Sequence, residues 1–154
     1  LGAEVAARVN KSNKLSDGSL TYLTAVFSAV FKYSNRNVKI KADGKMIYNG
    51  QLNTAVIANG KYFGGGIKVA PEAELNSGKM NVVLLKDFSR IGIILNLIKG
   101  YRGSHLKHPK VESFTAEKLE IYSEPKMNLE VDGENIAETP VYFSILKDKL
   151  SVMV

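Results

Sequence analysis

The chain has 154 residues and no cysteine, so it is long enough for one domain with its own core, and disulfides and thiolate metal sites are excluded. Its formal net charge of +6 favours anionic partners such as phosphates or anionic lipids, and it equally fits a surface that is merely soluble. No segment reaches the roughly 20 apolar residues that a membrane-spanning helix needs.

The chain begins at Leu1 without an initiator Met or a signal-peptide pattern, so we expect it to be a domain cut from a longer protein. Apolar residues at helical spacing over residues 20–31 predict a first helix. No internal repeat or low-complexity linker divides the chain, and residues 1–154 are therefore predicted to form one domain.

A β-hairpin is predicted next. Apolar residues alternate with lysines over residues 38–42, and Asp43-Gly44 is a two-residue turn signal. This turn places Ile40 opposite Ile47.

The middle of the chain predicts two strands and a second helix. Residues 54–58 and 80–85 are apolar enough to be strands that are covered on both faces. Residues 88–99 have a helical pattern with a narrow polar stripe that includes Asn96 and Lys99. Apolar residues cover most of the remaining helix surface: Ile91, Ile93, Ile94, Leu95, Leu97 and Ile98.

Strand patterns return in the last third. Residues 118–121 and 127–131 alternate between apolar and polar side chains, and residues 141–146 and 150–154 are predicted to form a closing pair. Many short strands with frequent turn signals favour an antiparallel sandwich or barrel, so we predict an all-β fold with about two helices.

The run Gly64-Gly65-Gly66 has two interpretations. Consecutive glycine amides can form an anion-binding nest for a phosphate. The run lacks the Gly-Lys-Ser/Thr ending of a P-loop, and the spacing favours a bulge or sharp bend between strands.

The sequence Asp132-Gly133-Glu134 is the strongest candidate for chemistry. Alternation predicts that Val131 is buried with Met127 and Leu129, and that Asp132 emerges at the strand end. Two carboxylates there can accept a hydroxyl proton, orient a nucleophile or meet a metal ion or ATP. Asp-Gly is also a common hairpin turn, which the local pattern alone favours.

His105 and His108 lie in a basic loop and lack the further ligands of a metal site. The apolar helix followed by cations suits docking on anionic lipid headgroups, and it also suits a core helix with favourable cations at its C-terminus. A nucleic-acid surface is not predicted, because the aromatic residues do not interleave with cations. The cations concerned are Lys99, Arg102, Lys107 and Lys110.

The glycine-rich stretch and the Asp-Gly-Glu sequence together resemble the C-terminal half of the diacylglycerol kinase and sphingosine kinase type of lipid kinases, including the bacterial members. Weaker similarity at the start of the chain and around Gly100 to His105 extends the resemblance over essentially the whole sequence. The residues that carry the glycine-rich motif are Asn59, Gly60, Gly64, Gly65, Gly66, Pro71 and Ala73.

The resemblance implies a two-layer antiparallel β-sandwich, the second domain of a two-domain kinase whose N-terminal nucleotide-binding domain is absent from this chain. It implies transfer of the ATP γ-phosphoryl group to a lipid hydroxyl, with diacylglycerol as the expected acceptor. Asp132 would act as general base or serve magnesium or ATP, and Glu134 would lie at the nucleotide site. The lipid is expected to contact Asn59, Gly64, Gly65, Gly66, Ile91, Ile94, Leu95 and Ile98.

Further expectations concern cofactors and partners. ATP and magnesium would be bound mainly by the absent domain, so the isolated chain should fold without kinase activity. No metal site is assigned, because Ser77 replaces the usual Asp of the family's acidic loop, although a weakened site with Glu74 and Asn76 is an alternative. We expect a cytoplasmic, peripherally membrane-associated protein and leave a homodimer open. The alternative function is a catalytically silent lipid- or membrane-binding β-domain.

Overall fold

The computed structural model describes residues 34–63, 66–132 and 134–147. The predicted helix over 20–31 and the predicted strand over 150–154 lie outside these residues, as do Gly64, Gly65 and Gly133. The described elements in chain order are β1 (Arg36–Ala42), β2 (Lys45–Ala58), β3 (Met80–Lys86), α1 (Arg90–Tyr101), a 3-10 helix (Ser104–Lys107), β4 (Val111–Ala116), β5 (Lys118–Glu124), β6 (Asn128–Val131), β7 (Glu134–Glu138) and β8 (Val141–Ser144).

The described strands form two antiparallel sheets. Six strands pair in the order β4-β3-β2-β1-β5-β8, and β6 pairs with β7 in a small second sheet. Met127 and Leu129 pack against buried residues of the large sheet, so the two sheets form layers around a shared core. The prediction of an all-β antiparallel sandwich with minor helix is confirmed.

The first hairpin has the predicted turn but a different register. Asp43 and Gly44 form the two-residue turn with φ angles of 50° and 80°, as a turn that matches the twist of the strands requires. A bulge then leaves Ile47 as an extra residue on β2, so Ile40 lies opposite Tyr48 and the predicted pairing with Ile47 is wrong.

The two faces of β3 contribute to two hydrophobic clusters. Val83 belongs to a helix-side cluster with Ile93 of α1, whereas Val82 and Leu84 belong to a hairpin-side cluster with Ile40 of β1. β3 is buried on both faces as predicted, because it lies between β2 and β4 and is covered from both sides. Residues 54–58 of β2 are less deeply buried but are also covered on both faces, because Val56 packs against the helix-side cluster and Ile57 against the hairpin-side cluster.

Candidate functional site

The Asp-Gly-Glu sequence forms the turn of the β6–β7 hairpin. Val131 pairs with Glu134, so Asp132 and the residue after it are the two turn residues. Asp132 has a φ of 48°, in the left-handed region that Asp tolerates better than most residues. The interpretation of this sequence as a turn is confirmed.

The hairpin is held at its base and exposed at its tip. The buried Thr139 bonds the hydroxyl of Ser123 on β5 at 2.6 Å and accepts a hydrogen bond from the Met127 amide at 2.9 Å. Val131 is 41% exposed, so its predicted burial is wrong. The reason is that the hairpin extends away from the hairpin-side cluster, and β7 is exposed along its whole length.

The two carboxylates of the hairpin tip have no partner in the part of the chain that the structure describes. Asp132 and Glu134 are exposed, and neither side chain makes a hydrogen bond or ion pair with another described residue. A free carboxylate in a fixed turn can accept a proton from a hydroxyl group or contact a metal–nucleotide complex. The turn itself requires neither charge.

Helix α1 presents apolar residues to solvent. Ile91, Leu95 and Ile98 are 72%, 55% and 62% exposed, whereas Asn96 from the predicted polar stripe is buried. Ile94 is partly buried against the helix-side cluster, so only three of the four predicted lipid contacts on this helix lie on the outer face.

The orientation of α1 is set at its two ends. At the N-terminus, the Ser89 hydroxyl accepts a hydrogen bond from the Gly92 amide at 3.2 Å. At the C-terminus, Gly100 faces Ile67 so closely that a Cβ atom would lie 3.1 Å from the Ile67 Cγ2 atom. This close approach turns the Gly100 side of the helix inward and the isoleucine side outward.

The glycine-rich segment adjoins the C-terminal end of α1. Phe63 and Ile67 exchange two backbone hydrogen bonds of 2.9 and 3.0 Å, so the chain reverses between them, and Gly66 has a φ of 90°. These observations agree with a sharp bend. The amide of Lys68 then donates to the Gly100 carbonyl at 3.1 Å.

The predicted site residues therefore fall into two groups. Gly66 and the exposed face of α1 adjoin the helix-side cluster, with Asn59 exposed just beyond the end of β2. Asp132 and Glu134 belong to a hairpin that packs on the hairpin-side cluster. The structure brings the glycine-rich segment and the helix together, and it does not join either to the carboxylates.

The two histidines have separate structural contacts. His105 is buried, with Nε2 3.0 Å from the Val69 carbonyl oxygen, and burial lowers the pKa of its imidazole. His108 packs its ring on Phe88 with the centroids 4.6 Å apart. Within the described ranges, no group of three or more His, Cys, Asp or Glu side chains is placed to hold a metal ion.

Asn53 is a structural residue that the sequence analysis missed. Its buried amide accepts a hydrogen bond from the Phe88 amide at 2.5 Å and donates to the Phe88 carbonyl at 3.3 Å, which fixes the connection between β3 and α1. The available signal was a polar residue inside an apolar strand pattern, because a buried amide there needs dedicated partners.

The comparisons with known proteins agree with this architecture of a β-sandwich domain. The family model described as "YegS C-terminal NAD kinase beta sandwich-like domain" matches residues 1–154, and the chain belongs to this family. The chain is 28% identical over 151 residues to a diacylglycerol kinase of Staphylococcus carnosus, covering 97% of this chain and 48% of that protein. It is 27% identical over 137 residues to a diacylglycerol kinase of Staphylococcus haemolyticus, covering 88% of this chain and 41% of that protein.

Solved structures support the fold. A crystal structure of a diacylglycerol kinase from Bacillus anthracis str. Sterne superposes with a TM-score of 0.58 at 15% identity, over 79% of this chain and 43% of that chain. Another chain from the same organism gives a TM-score of 0.63 at 24% identity, over 85% of this chain and 43% of that chain. The present chain thus spans about half the length of the relatives it matches.

Proposed function

We propose that this chain is the lipid-acceptor half of an ATP-dependent lipid kinase, which transfers the γ-phosphoryl group of ATP to a lipid hydroxyl, with diacylglycerol as the acceptor. Membership of the family and the similarity to proteins named diacylglycerol kinase support this function. ATP and magnesium would be bound mainly by a nucleotide-binding domain that these residues do not include.

The free carboxylate of Asp132 is the observation that carries the proposal. The turn fixes its backbone, the side chain has no partner among the described residues, and its exposure leaves it open to an approaching hydroxyl group. Asp132 would accept the proton of the lipid hydroxyl, and Glu134 would lie beside the nucleotide. Most of the rate would come from positioning and from electrostatic stabilisation of the transferring group.

The outer face of α1 supports a lipid surface as the partner. Three exposed apolar residues on the helix are accompanied by Lys99 and Arg102, which make no ion pair with another described residue. An apolar face beside cations suits the boundary of an anionic bilayer. In the described part of the chain, no helix has the length and apolarity to cross a bilayer. We propose peripheral association with the cytoplasmic membrane surface.

The test is ATP-dependent phosphorylation of a lipid panel by a protein that joins residues 1–154 to the part of the Staphylococcus carnosus diacylglycerol kinase that they do not cover. Asp132→Asn keeps the size and the turn geometry, and we expect it to lower the rate by about 10²–10⁴-fold. The matched control is Asp43→Asn in the other Asp-Gly turn, which should leave the rate within about twofold.

Three outcomes would contradict parts of this proposal. Full activity of Asp132→Asn would remove Asp132 from the chemistry. Phosphorylation by residues 1–154 alone would show that no further domain is needed. An inactive joined protein that still binds vesicles, beside an active Staphylococcus carnosus enzyme, would favour the catalytically silent lipid-binding domain.

The membrane contact has its own test. Replacing Ile91, Leu95 and Ile98 together by Ser should weaken co-sedimentation with anionic vesicles at least about tenfold, because each buried apolar side chain contributes about 1.5–3 kcal/mol. The control is Val131→Ser with Ile136→Ser, which changes exposed apolar residues on the hairpin. Equal loss in both variants would contradict docking through α1.

A further inference from the structure

The glycine-rich bend lies against the last turn of α1. We define the bend by its described residues, 61–63 and 66–68. Phe63 pairs with Ile67 across it, and a Cβ atom on Gly100 of α1 would lie 3.1 Å from the Ile67 Cγ2 atom. The Lys68 amide also donates to the Gly100 carbonyl at 3.1 Å. These contacts hold the bend at the C-terminal end of the helix.

The bend exposes aromatic side chains close to the apolar outer face of α1. Tyr62 is 63% exposed and Phe63 is 38% exposed, and Tyr101 at the end of the helix is 45% exposed. Aromatic side chains suit the boundary between a bilayer and water, because the ring is apolar and the tyrosine hydroxyl group can stay hydrated. The exposed apolar surface therefore extends from the helix to the bend.

The same two segments are rich in cations and contain no acidic residue. Residues 59–70 and 88–111 together have seven Lys or Arg and neither Asp nor Glu. Lys61 and Lys68 of the bend make no ion pair with another described residue. A Cβ atom on Gly103 would lie 3.4 Å from the Lys68 Cδ atom, so this side chain runs beside the end of α1. Cations without neighbouring carboxylates attract an anionic surface.

We propose that the bend is a second membrane-contacting element, which docks together with α1 on a bilayer that contains anionic phospholipid. Tyr62 and Phe63 would enter the boundary between headgroups and acyl chains, and Lys61 and Lys68 would contact lipid phosphates. Contact through two elements would fix the orientation of the domain on the bilayer, because a helix alone can rotate about its axis. This inference rests on the proposed peripheral membrane association and extends it from the helix to the bend.

A fluorescent probe tests whether the bend enters the bilayer. The chain has no cysteine, so one introduced cysteine carries a label at a single chosen position. An environment-sensitive fluorophore on Tyr62→Cys should brighten at least about twofold with vesicles of phosphatidylglycerol and phosphatidylcholine, because the probe leaves water. The matched control is the same fluorophore on Ile136→Cys of the β6–β7 hairpin, where the native side chain is 59% exposed, and its emission should not change.

Charge variants test the contact with lipid phosphates. Lys61→Gln with Lys68→Gln should weaken co-sedimentation with the same vesicles about tenfold or more, because each cation near an anionic membrane surface adds to the attraction. Lys61→Arg with Lys68→Arg keeps both charges and should bind within about twofold of the unmodified chain, which separates charge from packing. The matched control is Lys39→Gln with Lys45→Gln, two exposed lysines of the first hairpin, and it should also stay within about twofold.

Three results would overturn the inference. If the Tyr62 probe stays in water while the unmodified chain binds vesicles, docking uses the helix alone, and the proposed contact through α1 stands. Equal weakening by the two glutamine variants would show that the lysines of the bend have no special role. Absence of vesicle binding would remove both membrane contacts. Neither experiment needs ATP, so an inactive joined protein with intact docking would contradict the kinase function and leave this inference standing.

Discussion

The aspartates of two Asp-Gly turns have nearly the same φ angle, but their carboxylates differ in the contacts they make. Asp43 and Asp132 each occupy the first position of a two-residue hairpin turn, with φ angles of 50° and 48°. The Asp43 carboxylate accepts hydrogen bonds from the amides of Glu117 and Lys118 at 3.1 and 2.8 Å. The Asp132 carboxylate has no partner among the described residues.

Turn geometry explains the backbone conformation of both aspartates. Hydrogen bonds within the described residues explain the carboxylate of Asp43, and none involves that of Asp132. Asp43 ties the first hairpin to the connection between β4 and β5, and its amide also donates to the Lys118 carbonyl at 3.0 Å. Among the described residues, the exposed carboxylate of Asp132 makes no comparable contact with the fold. The proposed function would give this carboxylate a role, as the acceptor of the hydroxyl proton.

Two buried asparagines differ in the same way: Asn53 has hydrogen-bond partners, and Asn96 has none among the described residues. Replacing Asn53 has the largest expected effect on stability. The Asn53 amide satisfies both backbone groups of Phe88, whereas both amide atoms of Asn96 are buried with no partner in the described ranges. Asn53→Leu should lower the free energy of unfolding by about 2–4 kcal/mol, because two buried backbone groups lose their partners.

Asn96→Leu should instead leave stability unchanged or raise it by about 1–2 kcal/mol, since it removes an unsatisfied polar group from an apolar site. Urea unfolding of both variants, with matching m-values, measures the difference. A loss of more than about 1 kcal/mol in Asn96→Leu would show that ordered water or another group satisfies this amide.

The sequence correctly predicted the elements whose signal lies in a few neighbouring residues. Asp43-Gly44 specifies its turn through its own backbone preferences, and the apolar run of β3 requires cover on both faces. The bulge at Ile47 was not predictable in this way, because it is set by pairing along the whole of β2. The resemblance to lipid kinases depended on motif residues and did not need the fold.

The orientation of α1 and the exposure of the β6–β7 hairpin had no such signal. Apolar residues occupy so much of the circumference of α1 that periodicity does not select the buried face. The contact of Gly100 with Ile67 selects it. Alternation likewise predicted a buried Val131, but a strand face is buried only where another element covers it. The large sheet covers Met127 and Leu129 at the base of the hairpin, and Val131 lies beyond this contact.

The two Asp-Gly turns are compared directly by Asp43→Ala and Asp132→Ala. Alanine in a left-handed conformation costs about 1–2 kcal/mol at either position, so this cost is common to both variants. The difference between them reports the two hydrogen bonds of Asp43, and we expect Asp43→Ala to be the less stable by about 1–3 kcal/mol in urea unfolding. Equal losses would mean that Asp132 also has a structural partner.

The smallest expected effect concerns His105, which is buried on the opposite side of the large sheet from the hairpin. Its Nε2–H donates to the Val69 carbonyl, and the Nδ1 atom is buried without a partner among the described residues. Burial lowers the pKa of the imidazole in the folded protein, so the neutral form is preferred there.

The sign of the pH dependence follows from this preference. The stability contributed by neutral His105 is fully present above the unfolded pKa of about 6.5 and is lost as the pH falls below it, because the unfolded chain then binds a proton that the folded protein disfavours. His105→Gln keeps a donor for Val69 and cannot titrate, so its stability should fall less between pH 7.5 and 5 than that of the unmodified protein. The slope for one such group is at most about 1.4 kcal/mol per pH unit, and parallel curves for the two proteins would show that protonation of His105 is tolerated in the core.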